Sequence, residues 1–459
     1  MTERHLFRRP PTWRRWPIRI GTAAHPRRVL VTGATGFIGR HLCRHLIGSG
    51  HRIVALVRDV DRAADLYGPH VETITSLGEI DTARHIDTIV NLAGESIAGG
   101  WWTARRRSEL LDSRLRVTNE VVSLIARLQA KPSVLISASA IGYYGVRGDE
   151  EITEADRGRP VFQSHLCQAW ELAAQAAEAH GVRVCRLRFG LVLGRGGGAW
   201  PGLARSARLG FRIAFGSGAQ WLSWIHIRDV LRLIDFCIER EDIDGAINAT
   251  APQPVRQVDF ARAAARGWLC VDVRLPERTL RFALGEMAQL LVDGQRVLPM
   301  KAQCASFRFS YADIASAVRD LLQPRRIASA AHILYDTSCP VCDLEMKRYC
   351  RGARRQGFTW RLDDIAERPE MMSRYLLDVP TARERVYVVT DDGTVTSGME
   401  ALLTIWNSLP GWRWLALLLS QPPLRLVANA TYDFVLAPLI YRWGERRRML
   451  AALPTKVGH

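Results

Sequence analysis

Apolar and polar positions alternate in two rhythms along most of this chain. A short apolar run, Val29-Leu30-Val31, is followed by helix-spaced apolar residues over Phe37–Ile47. Further short apolar runs at Arg52–Val57, Thr88–Leu92, Val134–Ser137 and Val182–Leu187 read as strands. Between them Ser113–Leu128 and Val161–Ala179 repeat at helical spacing. Strands that are apolar on both faces and alternate with helices predict a parallel sheet covered on both sides, a doubly wound α/β fold. Past Leu193 the rhythm loosens: Gly194–Gly198 reads as a loop, Trp221–His226 as a strand, and Leu275–Leu322 as a small, mostly helical module. Gln323–Ala331, with Pro324 and two arginines, reads as a linker, and a new strand opens at Ile333. The predicted organisation is a basic, disordered extension over 1–26, a first domain over 27–322 that includes the module 275–322, a linker over 323–332, and a second α/β domain over 333–459.

Length and composition agree with this division. At 459 residues the chain exceeds one ordinary core, and 47% hydrophobic with 24% charged residues is a globular composition. The net charge of +17 is carried by arginine, since lysine occurs only at positions 131, 301, 347 and 456. Nucleic acid or an anionic membrane surface would attract such a charge. No zinc-finger, helix-turn-helix or RNA-recognition spacing accompanies it, so we read it as solvated surface charge with no specific nucleic acid partner. Nine cysteines, an odd number, argue against a closed disulfide framework and for a cytoplasmic protein with buried reduced thiols. No apolar run reaches transmembrane length, and the first 26 residues lack the apolar core of a secretory signal.

The candidate chemistry of the first domain begins where its first strand ends. Thr32 leads into Gly33-Ala34-Thr35-Gly36-Phe37-Ile38-Gly39, glycines spaced G-x-x-G-x-x-G between a strand and a helix. Gly33 permits a tight turn, Gly36 lets backbone approach a pyrophosphate, and Gly39 lets helix and strand pack closely. The unpaired N–H groups at the helix start then face the phosphates. At the end of the second strand stands Arg58, followed by Asp59. An acid there reads a ribose 2′-hydroxyl, whereas a guanidinium matches a 2′-phosphate. Arg58 comes first, so NADP(H) is preferred over NAD(H); the other reading leaves Arg58 solvated and gives Asp59 the ribose.

These segments recur with Asn91-Leu92-Ala93-Gly94-Glu95, Ser137-Ala138-Ser139-Ala140-Ile141-Gly142-Tyr143-Tyr144-Gly145, Arg188-Phe189-Gly190 and Trp224-Ile225-His226-Ile227-Arg228-Asp229. Together they resemble the extended short-chain dehydrogenase/reductase superfamily, and within it the branch called epimerase family proteins. Leu284-Gly285-Glu286-Met287 and Gly294-Gln295-Arg296-Val297-Leu298-Pro299 are similar to that branch's small C-terminal module. The resemblance spans about 28–322 and implies a Rossmann-type fold with a bound nicotinamide dinucleotide. It assigns cofactor contacts to Gly33, Thr35, Gly36, Phe37, Ile38, Gly39, Arg58, Ala93, Gly94 and Ser137, and no metal. Members that do chemistry use a Tyr-x-x-x-Lys couple with a Ser or Thr, and Ser139 matches the serine. Counting back from Glu171, Gln163 stands at the tyrosine position and Cys167 at the lysine position, and neither can do the same work. Three readings remain: Tyr143 or Tyr144 serves as the acid on a small-molecule substrate, His165 does, or the domain binds cofactor without the usual chemistry.

In the second half, Tyr335-Asp336-Thr337-Ser338-Cys339-Pro340-Val341-Cys342 precedes a helix-like run over Asp343–Arg351. A Cys-x-x-Cys at a strand-to-helix turn is the redox motif of thioredoxin-like folds. The helix N-terminus favours a thiolate at Cys339, which attacks a disulfide, and Cys342 resolves the mixed disulfide. Cys350 and His332 offer no usable zinc spacing. With Val386–Val389, Asp392-Gly393-Thr394, Ser397-Gly398-Met399-Glu400-Ala401 and Leu409-Pro410-Gly411, this half resembles the DCC family of thiol-disulfide oxidoreductases over about 333–446. By that resemblance Asp336 is the motif acid, taking a proton from the resolving thiol, and the partner is a thiol or disulfide. Val379-Pro380-Thr381 is a candidate for the proline loop of such folds. Trp412–Leu419 and Leu436–Trp443 are apolar stretches, read as core helices or as a face for a partner or membrane surface. A nicotinamide does not reduce a disulfide efficiently without a flavin, and no second dinucleotide fingerprint is present. The expected whole is an NADP(H)-binding oxidoreductase or epimerase-like domain fused to a thiol-disulfide oxidoreductase. The alternative is a non-catalytic NADP(H) sensor coupled to the thiol domain.

Overall fold

The computed structural model describes residues 26–67, 70–97, 99–195, 197–208, 211–265, 270–322, 327, 330–337, 340–365, 385–390 and 395–439. The expectations for residues 1–25, Cys339, Val379-Pro380-Thr381, Asp392-Gly393-Thr394 and most of the linker lie outside these residues. The chain divides after Leu322 into two compact units.

The first unit is built on seven parallel strands: β1 (Arg28–Thr32), β2 (Arg52–Leu56), β3 (Val71–Ile74), β4 (Thr88–Asn91), β5 (Val134–Ala140), β6 (Arg183–Phe189) and β7 (Gly245–Ala249). Their order is β7-β6-β5-β4-β1-β2-β3, every pair parallel. The order reverses between β1 and β4, so the crevice for a ligand opens there, beyond the carboxyl ends of the strands. Helix α1 (Phe37–Gly48) follows β1 directly. Helix α2 (Ala104–Arg127) starts at an N-cap, Thr103, whose hydroxyl accepts from the Arg106 amide. Its Leu110, Arg114, Thr118, Val121 and Ile125 face inward at helical spacing. Leu30, Val54, Ile89, Leu135 and Val184 of the sheet share one core with Val121, Leu124 and Ile125 of α2 and with Ala174 of α3 (Phe162–Gln175). Helix α1 packs against α4 (Ile227–Glu239).

Sequence pattern and structure differ in instructive places. The long helix begins nine residues before Ser113, because Ala104–Asp112 carries three arginines and presents little apolar periodicity. The edge strands β3 and β7 were not legible: Val-Glu-Thr-Ile and Gly-Ala-Ile-Asn-Ala are too short and mixed to stand out. Trp221–His226 splits into two strands around the buried Ser223. The hydroxyl of Ser223 donates to the Gln295 carbonyl at 2.7 Å and accepts from the Val297 amide at 2.8 Å, tying the 275–322 module to the Rossmann body. The buried Asp229 carboxylate does the same, accepting from the Ser310 and Tyr311 amides at 2.8 and 2.9 Å.

The second unit has a mixed sheet of β8 (Ala330–Tyr335), β9 (Thr359–Asp364), β10 (Tyr387–Thr390) and β11 (Val395–Ser397), in the order β9-β8-β10-β11. β8 and β9 are parallel, whereas β10 is antiparallel to both of its neighbours. Helix α5 (Pro340–Arg354) leads from β8 towards β9, α6 (Met399–Ser408) follows β11, and α7 (Pro410–Leu419) and α8 (Pro422–Thr431) come after. Ile333, Tyr335, Met346, Tyr349, Trp360, Val388 and Ile405 form its core.

Candidate functional site

The glycine loop of the first unit is explained by backbone crowding at two positions. Gly33 has φ +66°, and a Cβ there would stand 2.6 Å from the Leu92 carbonyl oxygen on the neighbouring β4 side. At Gly39 a Cβ would lie 2.2 Å from the Gly33 carbonyl oxygen, so only glycine lets α1 close onto the turn. Gly36 caps α1 without a side-chain hydrogen bond, which leaves the helix end open in front of its first amides. The buried Tyr67 hydroxyl donates to the Ala34 carbonyl at 2.6 Å and steadies the loop from behind. Phe37 turns its ring against Gly194, Gly197 and Gly198, where added Cβ atoms would come within 2.3–2.7 Å of it.

On the far side of the crevice, the Thr32 hydroxyl donates to the Asn91 side chain at 2.6 Å and accepts from the Ala93 amide at 3.2 Å. This joins the ends of β1 and β4 and fixes the Ala93–Gly94 backbone. Gly94 lies against the Arg114 side chain. The buried Arg114 donates to the Leu110 and Glu95 carbonyls at 2.8 and 2.9 Å, and burial lowers its pKa. Ser137 is buried beside Asn91. Arg58 is 90% exposed at the crevice mouth, with Nη1 3.0 Å from Glu95 Oε1. Asp59 accepts from the Arg62 amide at 2.9 Å, so its carboxylate caps the next helix. The Arg58–Glu95 pair crosses between two loops and left no signal in the sequence.

Around the expected catalytic positions the side chains are already committed. Ser139 donates to Glu171 Oε1 at 2.7 Å, and Glu171 takes two bonds from Arg188, at 2.8 and 2.9 Å. Arg188 also donates to the Tyr144 hydroxyl at 2.8 Å, which in turn donates to Asn248 at 2.6 Å. Burial works against the charge of Arg188, but Glu171 outweighs it and holds the guanidinium firmly protonated. Burial pushes the Tyr144 phenol up to about 12. The Cys167 thiol, also buried, is pushed up to about 12, first by desolvation and then by the Glu171 charge. Gln163 donates its amide to Gln289 of the small module at 3.1 Å. Tyr143 is half-buried, with the Arg188 guanidinium 3.5 Å over its ring. Its apolar neighbourhood includes Leu92, Phe162, Phe189, Met287 and Leu290. His165 is exposed on α3. Trp102 and Trp224 are core, Trp101 is exposed, and Trp221 is stacked by Arg256 at 4.0 Å. His226 caps α4, its Nδ1 accepting from the Arg228 amide at 3.2 Å.

In the second unit Asp336 is buried just past β8, and Cys342 is half-buried in the first turn of α5. Asp343, next to it, accepts from the Tyr335 hydroxyl at 2.8 Å and from Lys347 at 2.6 Å. Tyr432 is buried on the C-terminal side of this unit, packed with Met399 and Leu403. Burial pushes its phenol up to about 12, and the neighbouring Cys342 thiol adds to the shift. Gly398, at φ +63°, makes room for that ring: a Cβ there would stand 3.1 Å from Tyr432 Cε1. The Ser-Gly-Met-Glu-Ala motif thus has a packing reason, which the sequence alone did not supply. Among the described residues no cluster of three or more His, Cys, Asp or Glu is placed to hold a metal ion.

Comparison with known proteins finds relatives for both units. Residues 29–249 match the NAD dependent epimerase/dehydratase family, residues 275–321 a domain of unknown function, and residues 333–446 the DCC1-like thiol-disulfide oxidoreductases. The epimerase family protein YfhF of Bacillus subtilis is 38% identical over 305 residues, covering 65% of this chain and 99% of that protein. The human epimerase family protein SDR39U1, solved with NADPH, is similar at 29% identity with a TM-score of 0.57, over 64% of this chain and 98% of that one. MoeE5, solved with UDP-glucose and NAD, shares the fold at 23% identity and a TM-score of 0.52, over 64% and 96% of the two chains. The chain belongs to the epimerase family, with that family's NAD(P)-binding Rossmann fold and C-terminal module joined to a DCC1-like thiol-disulfide oxidoreductase domain.

Proposed function

We propose that the first unit binds NADP(H) without the proton-transfer couple of its catalytic relatives, and that the second unit carries out thiol–disulfide exchange in the cytoplasm. The observation that carries the first half is the state of the couple's positions. Gln163 is bonded to Gln289, the Cys167 thiol is buried and raised to about 12, and Ser139 is tied to Glu171. None of the three exchanges a proton near neutral pH. When bound, a reduced nicotinamide supplies a hydride donor. The chain's own part is to hold it: amides at the start of α1 face the pyrophosphate, Gly33 and Gly39 keep the loop tight, and the Ala93–Gly94 backbone lines the crevice. Arg58 reads the 2′-phosphate, because Asp59 is occupied as a helix cap. The human relative's NADPH supports this preference.

In the second unit the Cys339 thiolate attacks a partner disulfide, forms a mixed disulfide and expels one partner thiolate. Cys342 then attacks the Cys339 sulfur, releases the second thiol and leaves a Cys339–Cys342 disulfide. Two electrons pass to the partner, and two equivalents of a low-molecular-weight thiol return them to the protein and leave as their own disulfide. Asp336, buried at the end of β8, is the base for the resolving thiol. Tyr143 gives the first unit a second reading as a proton donor, because its ring lies half-buried among apolar side chains under Arg188. One pair of assays tests both halves. NADPH oxidation followed across a panel of carbonyl compounds should show binding without turnover, and turnover lost in Tyr143→Phe would favour the second reading. Reduction of a model disulfide should fail in Cys339→Ser; full activity in that variant would remove the thiol mechanism.

A further inference from the structure

The C-terminal helices of the second unit carry a second apolar face that the thiol chemistry does not use. Nineteen large hydrophobic residues are exposed among the described residues, and ten of them fall between Trp414 and Leu439. The helix that begins as α8 continues through a π turn at Tyr432–Leu436 to residue 439. Its Ala428, Tyr432 and Ala437 pack inward with Met399, Leu403 and Ala416. On the outward side Val427, Phe434, Val435 and Leu439 recur at helical spacing, and Val427, Phe434 and Leu439 are 63, 70 and 59% exposed. Beside them α7 presents Trp414, 64% exposed, with Leu418 one turn on. The helix has its core on one side, and its exposed apolar side chains, with Arg425, Asn429, Thr431 and Asp433 between them, mark a surface on the other. Among the described residues no helix is long and apolar enough to cross a membrane.

The charge of the sequence that carries this face points to its occupant. From 410 to 459 the sequence holds seven basic residues, Arg413 and Arg425 in the helices and five more beyond 440, against two acids, Asp433 and Glu445. Outward aromatic and aliphatic side chains bordered by arginine are the composition of a helix lying in the plane of an anionic bilayer. The headgroup charge draws in the arginines, and the apolar stripe enters the acyl boundary. We propose that α7 and the α8 helix seat the thiol domain on an anionic lipid surface. Tyr432 lies on the inward side of the same helix, packed with Met399 and Leu403 of the thiol domain.

Flotation of the full chain with lipid vesicles tests this. The chain should float with phosphatidylcholine vesicles that contain phosphatidylglycerol, and both high salt and pure phosphatidylcholine should weaken the association. The double variant Val427→Asp/Phe434→Asp changes only exposed positions and should lose roughly tenfold in the vesicle-bound fraction while its circular dichroism is unchanged. Arg413→Gln should weaken binding to the anionic vesicles alone. The proposal is overturned if the wild-type chain stays unbound, or if the double variant floats as well as wild type. It is equally overturned if sedimentation shows a dimer that the double variant dissolves while vesicles capture neither protein. In that case the face serves a second copy of the chain.

Discussion

Arg188 and Glu171 face each other with two bonds, at 2.8 and 2.9 Å, in a place that is almost closed to water. The pair anchors Ser139 on one side and Tyr144 on the other. It therefore organises the ends of β5 and β6, and it engages Ser139 in doing so. Glu171→Ala would leave a buried guanidinium without its counter-ion. We expect a loss of about 3–5 kcal/mol in stability by urea unfolding. A loss under about 1 kcal/mol would mean that the pair is solvated.

The thiols should differ sharply in reactivity. Cys167 is buried with its thiol raised to about 12, and Cys43 likewise, whereas Cys304 is exposed. Iodoacetamide applied to the native protein at mildly alkaline pH should alkylate Cys304 and spare both buried thiols. Peptide mass spectrometry reads the result, and rapid labelling of Cys167 would show an open site where the account has a sealed one.

Asp320 links the small module to α4, 3.4 Å from His226 and 3.5 Å from Arg228. Burial opposes its charge, but the His226 hydrogen bond and the Arg228 guanidinium prevail and hold the carboxyl well below its usual range. A depressed folded pKa means a contribution present above the unfolded value, about 4, and lost as pH falls through the folded value. Wild type should exceed Asp320→Asn by about 1–2 kcal/mol at neutral pH, with the gap closing in acid. A gap independent of pH would assign the effect to packing.

Gly39→Ala tests the turn. Its Cβ would meet the Gly33 carbonyl, so helix and loop must part. Stability should fall by about 1–3 kcal/mol, and dinucleotide binding should fall with it. Unchanged binding by fluorescence titration would mean that the loop does not hold the phosphates.

What the sequence disclosed and what it hid follow from range. The glycine loop was readable because backbone crowding at Gly33 and Gly39 dictates residue type within seven positions. That Gln163 and Cys167 stand at the tyrosine and lysine positions was an expectation from the family resemblance, counted back along α3 from Glu171. The Arg58–Glu95 pair, the Gln163–Gln289 bond and the Tyr432 ring against Gly398 join segments 37, 126 and 34 residues apart, and no local pattern encodes them. The first nine residues of α2 were missed because their arginines mask helical periodicity.

Calorimetric titration of the full chain with NADPH and with NADH tests the central claim most directly. The account predicts saturable NADPH binding that weakens by about tenfold in Arg58→Ala, with NADH binding little changed by the substitution. Absence of heat with either nucleotide on folded protein, or an equal loss for both in the variant, would contradict it.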